Sequence, residues 1–424
     1  MIASVAPILI AIGAFFLRII NLDIPKGFVF DEVYYVDGAR DLLKYGVEVD
    51  GLKPEFVVHP PIGKWSIAIG IKIFGDNEFG WRITAAIAGT LIILIASRLA
   101  HELFYSPFLT AITAALLTFD GLLLVHSRTA LLDLFLTLFI LIAAYFWFRQ
   151  QYWYASIFFG LALATKWSAL YFIALFGFVT LFRLFRQEST KELLRTVTLR
   201  IMQFGVIPIS IYITSWIGWF ISERGWNRDY ASNPFSSLIY YHKQMLDFHT
   251  SLVEKHAYQA NPWSWLIMGR PTSFYYESPQ GCGSNNCAQE VLALGTPVLW
   301  WSATIAVVVL IGYWMWQFYQ RQVDSKLTFI LLGIIAGYLP WFFFQKRTVF
   351  SFYAIVFEPF LILALVYCAK LFIDRSRNPA DAQVIILGFV AVVFLNFVYF
   401  LPLYLGEVIT YAQWHMRMWF PSWI

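Results

Sequence analysis

This chain is poor in charge. Only 13% of its 424 residues are Asp, Glu, Lys or Arg, where a soluble globular domain carries roughly a quarter. That excludes an ordinary soluble enzyme. The net charge of +4 is too small to suggest a nucleic-acid partner and reads instead as the charge of cytoplasmic loops. Cysteine is scarcer still, with three residues, which excludes a disulfide-dense scaffold. No HExxH, Walker loop, GxGxxG or CxxC pattern occurs, so the sequence offers no zincin helix, nucleotide cradle or thiol redox pair, and no cofactor or metal is expected. There is no internal repeat of fixed period and no low-complexity linker. The first apolar segment, residues 7–20, has no basic n-region and no small-residue cleavage site, and is expected to be a retained span rather than a signal peptide.

What is abundant is apolar and aromatic: 59% of residues are hydrophobic and 19% are Phe, Trp or Tyr. Apolar runs occupy 4–20, 82–99, 107–125, 130–148, 152–165, 168–183, 200–221, 297–317, 327–345, 349–370 and 384–405. Lipid leaves no partners for open backbone, so helices are expected. The fold class is therefore an all-α polytopic membrane protein of about eleven spans, a single transmembrane domain over 1–424, with its termini on opposite sides. The basic stretches 183–200, 320–326 and 370–378, with Arg98 and Arg149, fall on one side. That side is assigned to the cytoplasm together with the N-terminus. Two long connections, 21–81 and 222–296, then face outward, in a plasma membrane. In the second, Leu238, Tyr241, Met245, Leu252 and Val253 recur at helical spacing, as in an amphipathic helix lying on the membrane surface. Cys282 and Cys287 share the polar stretch "GCGSNNC" of that connection. An outward, oxidising compartment favours a disulfide between them, two free thiols being the alternative.

The polar residues form a pattern on this topology. Asp31, Glu32, His59, Lys64 and Arg82 belong to the first outer connection or its edges. Arg128 and Asp133 flank one outer turn, Lys166 sits in a second, and Lys346 and Arg347 in a third. Ionisable residues at membrane depth are functional candidates. Each also has a plain structural role open to it. Carboxylates favour helix starts, lysines snorkel to headgroups, Arg128 and Asp133 suit an ion pair, and His59 before Pro60-Pro61 suits a backbone cap. Their gathering on one side is the signal. His242, His249 and His256 do not suit a metal: a spacing of seven separates neighbours by about 10 Å along a helix, too far for bonds of about 2 Å to one ion.

An outward site of carboxylates and cations at the membrane edge fits a lipid-phosphate-linked donor. The phosphate leaves without a general acid but needs cations for its developing charge. A hydroxyl acceptor needs a base. Adjacent Asp-Glu on one backbone does not give the opposed carboxylates of a glycosidase.

The same residues resemble the protein O-mannosyltransferase family of GT-C membrane glycosyltransferases. "FDEVYY" matches its Asp-Glu motif, "HPPIGKW" (59–65) its His-Pro-Pro-x-Gly/Ala-Lys motif, and "GWRITAAIAG" (80–89) the segment whose arginine, here Arg82, is functionally important. "VHSRTALLD" (125–133) and "ATKWSALY" (164–171) resemble its Ser-Arg-x-x-Leu-Leu-Asp and Val-Lys-Trp stretches. The connection 222–296 is too short for the soluble β-trefoil domain of the fungal and animal members, and "NPWSWLIMGRP" (261–271) looks like the bacterial branch that lacks it. "QKRTVFSFYAIVFEP" departs from the eukaryotic pattern around Lys346 and Arg347. The resemblance implies inverting transfer of mannose from polyprenyl-phosphate-mannose to Ser/Thr hydroxyls of secreted polypeptides, a partner met during translocation. In that reading Asp31 is the base and Glu32 binds the acceptor. Arg82 and Lys166 bind the donor phosphate, with Arg128 orienting the loop through Asp133. Two alternatives stand beside it: a GT-C transferase that places a sugar on a glycolipid or cell-wall polymer, and a lipid-linked-substrate transporter or flippase. Against a transporter, the charges gather on one side rather than at the midplane of repeated halves.

Overall fold

A computed structural model describes residues 2–185 and 190–424. Residues 186–189 of the basic stretch 183–200 lie outside the described residues. Every apolar run named above contains a helix. Among the described residues, five helical segments are long and apolar enough to cross a membrane: Glu78–Phe104, Leu193–Ser215, Pro297–Tyr319, Ser325–Phe344 and Pro379–Leu405. Shorter apolar helices include Val5–Ile19, Pro107–Thr118, Leu132–Phe148, Tyr152–Leu163 and Ala169–Leu184. The chain divides into two compact units.

One unit comprises residues 31–85 and 130–254. It opens with the helix Glu32–Tyr45, which Gly46 ends in the left-handed region at φ 73°, where a residue without Cβ is unstrained. A two-stranded ribbon, β1 (Val49–Asp50) and β2 (Lys53–Pro54), leads to the helix Ile62–Phe74. Gly38 allows that helix to lie close: a Cβ there would come within 2.8 Å of Lys64 Cδ. The apolar helices Leu132–Phe148, Tyr152–Leu163 and Ala169–Phe185 follow. The run 200–221 is not one straight helix. Thr190–Ile201 passes through a π turn at Met202–Val206 into Ile207–Ser215. Pro208 explains the irregularity, because it donates no hydrogen bond and its ring crowds the carbonyl one turn back. The surface helix expected in 222–296 runs over Pro234–Ser251, with Asn233 accepting from Ser236 N at its start. Leu238, Tyr241 and Met245 form its buried face, while Leu252 and Val253 lie past its end.

The other unit comprises residues 1–30, 86–129 and 255–424. The run 107–125, expected as one span, breaks at Asp120. The helix Pro107–Thr118 ends, and Asp120 caps a second short helix, Gly121–His126, by accepting from Leu123 N at 3.0 Å. Its other oxygen accepts from Trp300 Nε1 at 2.7 Å. A buried carboxylate needs such donors, and the helix terminus supplies one. The apolar run 349–370 likewise starts with a 3-10 turn, Ser351–Val356, before the helix Glu358–Arg375. Strands were not expected, yet β3 (Thr272–Glu277), β4 (Cys287–Ala293) and β5 (Val408–Thr410) form an antiparallel sheet in the order β3-β4-β5. Cys282 and Cys287 are disulfide-bonded beside the β3–β4 turn, with Cα atoms 5.8 Å apart. Mass spectrometry of alkylated, unreduced protein should find both thiols protected until reductant is added. Labelling of both beforehand would rule the bridge out.

Candidate active site

The residues with the most chemical potential in the 31–85/130–254 unit cluster at the start of the helix Glu32–Tyr45. Asp31 is its N-cap by backbone, at φ −71° and ψ 0°, but its carboxylate makes no capping bond. The side chain is therefore left for other work. Oδ2 accepts from Tyr35 Oη, one turn on, at 3.3 Å. Burial pushes the Asp31 carboxyl up to about 6; the nearby Lys166 opposes the rise and Asp133 adds to it. A carboxyl in that range is a better proton acceptor at neutral pH than an ordinary aspartate.

Glu32 and Arg82, expected on the acceptor and on the donor phosphate, are instead placed against each other. Both are 0% exposed. Arg82 Nε lies 2.9 Å from Oε1 and Nη2 lies 2.8 Å from Oε2, a two-pronged grip. Oε1 also accepts from Ala130 N at 2.8 Å. The physical reason is burial: neither charge is tolerated inside without the other. The pair ties the first turn after Asp31 to the helix Glu78–Phe104 and to the segment before Leu132–Phe148.

Lys166 sits in the turn between Tyr152–Leu163 and Ala169–Phe185. Its Nζ lies 2.9 and 2.8 Å from the two oxygens of Asp133. Asp133 therefore holds Lys166, rather than Arg128 as the sequence suggested. Arg128 belongs to the other unit. It donates to the carbonyls of Arg18 (2.9 Å), Ile20 (2.7 Å) and Asn21 (2.8 Å), capping the end of the helix Ile2–Ile19, where carbonyls lack helical partners. Lys64 is a buried structural cation, 2.9 Å from Glu48 Oε1. His59 is half-buried, its ring 6.0 Å from that of Tyr35 and 5.5 Å from that of His249. In the other unit, Lys346 is exposed and Arg347 half-buried just after the 3-10 turn Leu339–Phe344. Sequence reading missed Tyr35, Trp167 and His249 as neighbours of this cluster. Only Tyr35 carried a signal, four residues from Asp31 on a helix face.

Comparison with known proteins decides what this cluster belongs to. The family model for dolichyl-phosphate-mannose-protein mannosyltransferase matches residues 8–216, and that for the C-terminal four TMM region of protein-O-mannosyltransferase matches 234–423. The chain belongs to the protein O-mannosyltransferase family. A polyprenol-phosphate-mannose–protein mannosyltransferase of Mycolicibacterium smegmatis is 32% identical across 96% of this chain and 90% of its own length. Its counterpart from Corynebacterium glutamicum is 31% identical, across 93% and 88%. Among solved structures, the Saccharomyces cerevisiae protein O-mannosyltransferase Pmt1-Pmt2 complex bound to the sugar donor superposes with a TM-score of 0.85 at 15% identity. That match covers 100% of this chain and 93% of the yeast chain. This protein O-mannosyltransferase thus has the GT-C membrane fold, mostly helical, and is a membrane mannosyltransferase. Asp31, Glu32, Arg82 and Lys166 all lie within the first matched region.

Proposed function

We propose that this enzyme transfers mannose from a polyprenyl-phosphate donor to Ser or Thr hydroxyls of secreted polypeptides, with inversion, at the outer face of the plasma membrane. The observation that carries the reading is Asp31: a carboxyl raised to about 6 beside the Lys166–Asp133 pair. Asp31 takes the proton of the acceptor hydroxyl as its oxygen bonds to the anomeric carbon. The bond from that carbon to the phosphate oxygen breaks, and the electron pair leaves with the phosphate. Lys166 neutralises the charge gained there, and does so more in the transition state than in the ground state. Asp133 keeps the ammonium aimed. Glu32 and Arg82 act through Asp31 by fixing the start of its helix. The proposed topology has eleven spans with a cytoplasmic N-terminus, supported by the eleven helix-bearing apolar runs and the sidedness of the basic stretches.

Purified protein, polyprenyl-phosphate-mannose and a Ser/Thr/Pro-rich peptide should together yield a peptide heavier by one hexose. A glycolipid that gains the hexose while the peptide does not would favour the cell-wall alternative. Lys166→Ala should weaken donor binding and lower turnover, each by about tenfold. Titration of a non-hydrolysable donor checks the first effect and single-turnover rates the second. Unchanged values for both would leave Lys166 as a headgroup anchor.

A further inference from the structure

Trp167 follows Lys166 in its turn, and a hydrogen-bond chain with a fixed direction at every atom holds its indole. Indole Nε1–H can only donate, and gives to Tyr212 Oη at 2.9 Å. His242 Nδ1 lies 2.7 Å from the Leu238 carbonyl, which can only accept, so Nδ1 carries the proton. The neutral ring's Nε2 then accepts from Tyr212 Oη–H at 2.6 Å. Burial keeps the His242 imidazole below its ordinary value, in the neutral form the chain requires. With its N–H committed and its ring stacked on that of His242, at 5.9 Å and 23° between planes, the half-buried Trp167 has the rest of its ring to offer a ligand.

That ring begins a wall. It lies 5.7 Å from His249, whose Nε2–H donates to the Val58 carbonyl at 2.8 Å. His249 lies 5.5 Å from His59, and His59 lies 6.0 Å from Tyr35, which donates to Asp31. Lys166 precedes Trp167 and acts electrostatically on Asp31, closing the circuit. Asp31, His59, Lys166, Trp167 and His249 are all half-buried, so the circuit has an open rim. In a displacement, the anomeric carbon stands between the leaving phosphate and the attacking hydroxyl. With the phosphate at Lys166 and the hydroxyl at Asp31, the sugar ring lies between two members of this circuit. Aromatic faces suit the C–H faces of a hexose. A peptide would call for backbone-directed donors, and here Trp167 Nε1–H and His249 Nε2–H are already committed.

Resting on the donor reading above, we propose that Trp167, with His249 and His59, is the platform that receives the hexose ring of the lipid-phosphate donor, and that Tyr212 and His242 are positioning residues holding it. The test is the ratio of affinities for a non-hydrolysable polyprenyl-phosphate-mannose and for bare polyprenyl phosphate. It is measured on the full chain for wild type, Trp167→Ala, Trp167→Phe and Tyr212→Phe. Trp167→Ala should weaken the mannose-bearing ligand by about tenfold and bare polyprenyl phosphate by less than about twofold. Trp167→Phe should recover part of the loss, and Tyr212→Phe should reproduce part of it. The two phenylalanine variants keep the proposal testable if the alanine protein fails to fold. Equal weakening of both ligands, or of neither, would overturn it, as would a wild-type protein that binds both alike. An unchanged ratio in a protein that still transfers mannose counts against the platform alone. A preserved ratio pattern without any transfer counts against the proposed reaction instead.

Discussion

Asp31→Asn should abolish transfer, lowering the single-turnover rate by about 10²–10⁴-fold, the usual contribution of a positioned general base, while donor affinity stays near wild type. Asparagine has the shape of the carboxylate and can still accept from Tyr35, but it cannot take a proton. The pH dependence follows from the same residue. The proposed base works only when deprotonated, and burial has raised its carboxyl to about 6. The wild-type rate should therefore fall as pH drops through about 6, where an ordinary aspartate would hold its rate to near 4. Stability has the opposite sign. A raised carboxyl means that the folded state disfavours the charge, so its contribution to stability is greatest at low pH and is lost as pH rises through about 6. Asp31→Asn should then melt no lower than wild type at neutral pH. Near-wild-type turnover of this variant at saturating peptide would remove Asp31 from the role of base.

The second large effect belongs to Arg82. Arg82→Ala leaves Glu32 buried and without its two-pronged partner. Breaking such a pair from one side typically destabilises by about 3–5 kcal/mol. Arg82→Lys keeps the charge but loses the planar fork, so it should also be clearly destabilised. The combination Glu32→Gln with Arg82→Met should recover much of the stability, because no buried charge remains. It should not recover activity, because the start of the helix that carries Asp31 is no longer tied to Ala130 and the helix Glu78–Phe104 in the same way. Denaturation in detergent, followed for the two single variants and the double, separates these outcomes. An Arg82→Ala protein as stable as wild type would contradict the clamp.

Much of this was legible in the sequence, and the residues say why. An apolar run announces a helix because lipid offers the backbone no other partner, and every such run contains one. Helix ends were less legible. Asp120 breaks the apolar stretch 107–125 where Leu123 N and Trp300 Nε1 donate to it, contacts that residue type alone does not report. The sheet β3-β4-β5 was missed because its strands are short and β5 lies more than a hundred residues from β4. At the site, Asp31 and Lys166 were nominated by residue type and by the expected side of the membrane. Partners were not. Glu32 and Arg82 are fifty residues apart, and sequence alone reports that both are charged, not that they are buried against each other. The spacing of His242 and His249 argues against a shared metal by helix geometry alone. It could not show that Trp167, from a different segment, packs beside both rings.

The proposed reaction is a single displacement at the anomeric carbon, driven by one base and one leaving phosphate. The most direct test is the anomeric configuration of the hexose on the peptide product, read by NMR against that of the donor. Inversion is the expected result. Retention would require a second carboxylate acting as nucleophile, and either retention or a peptide that gains no hexose would contradict the account.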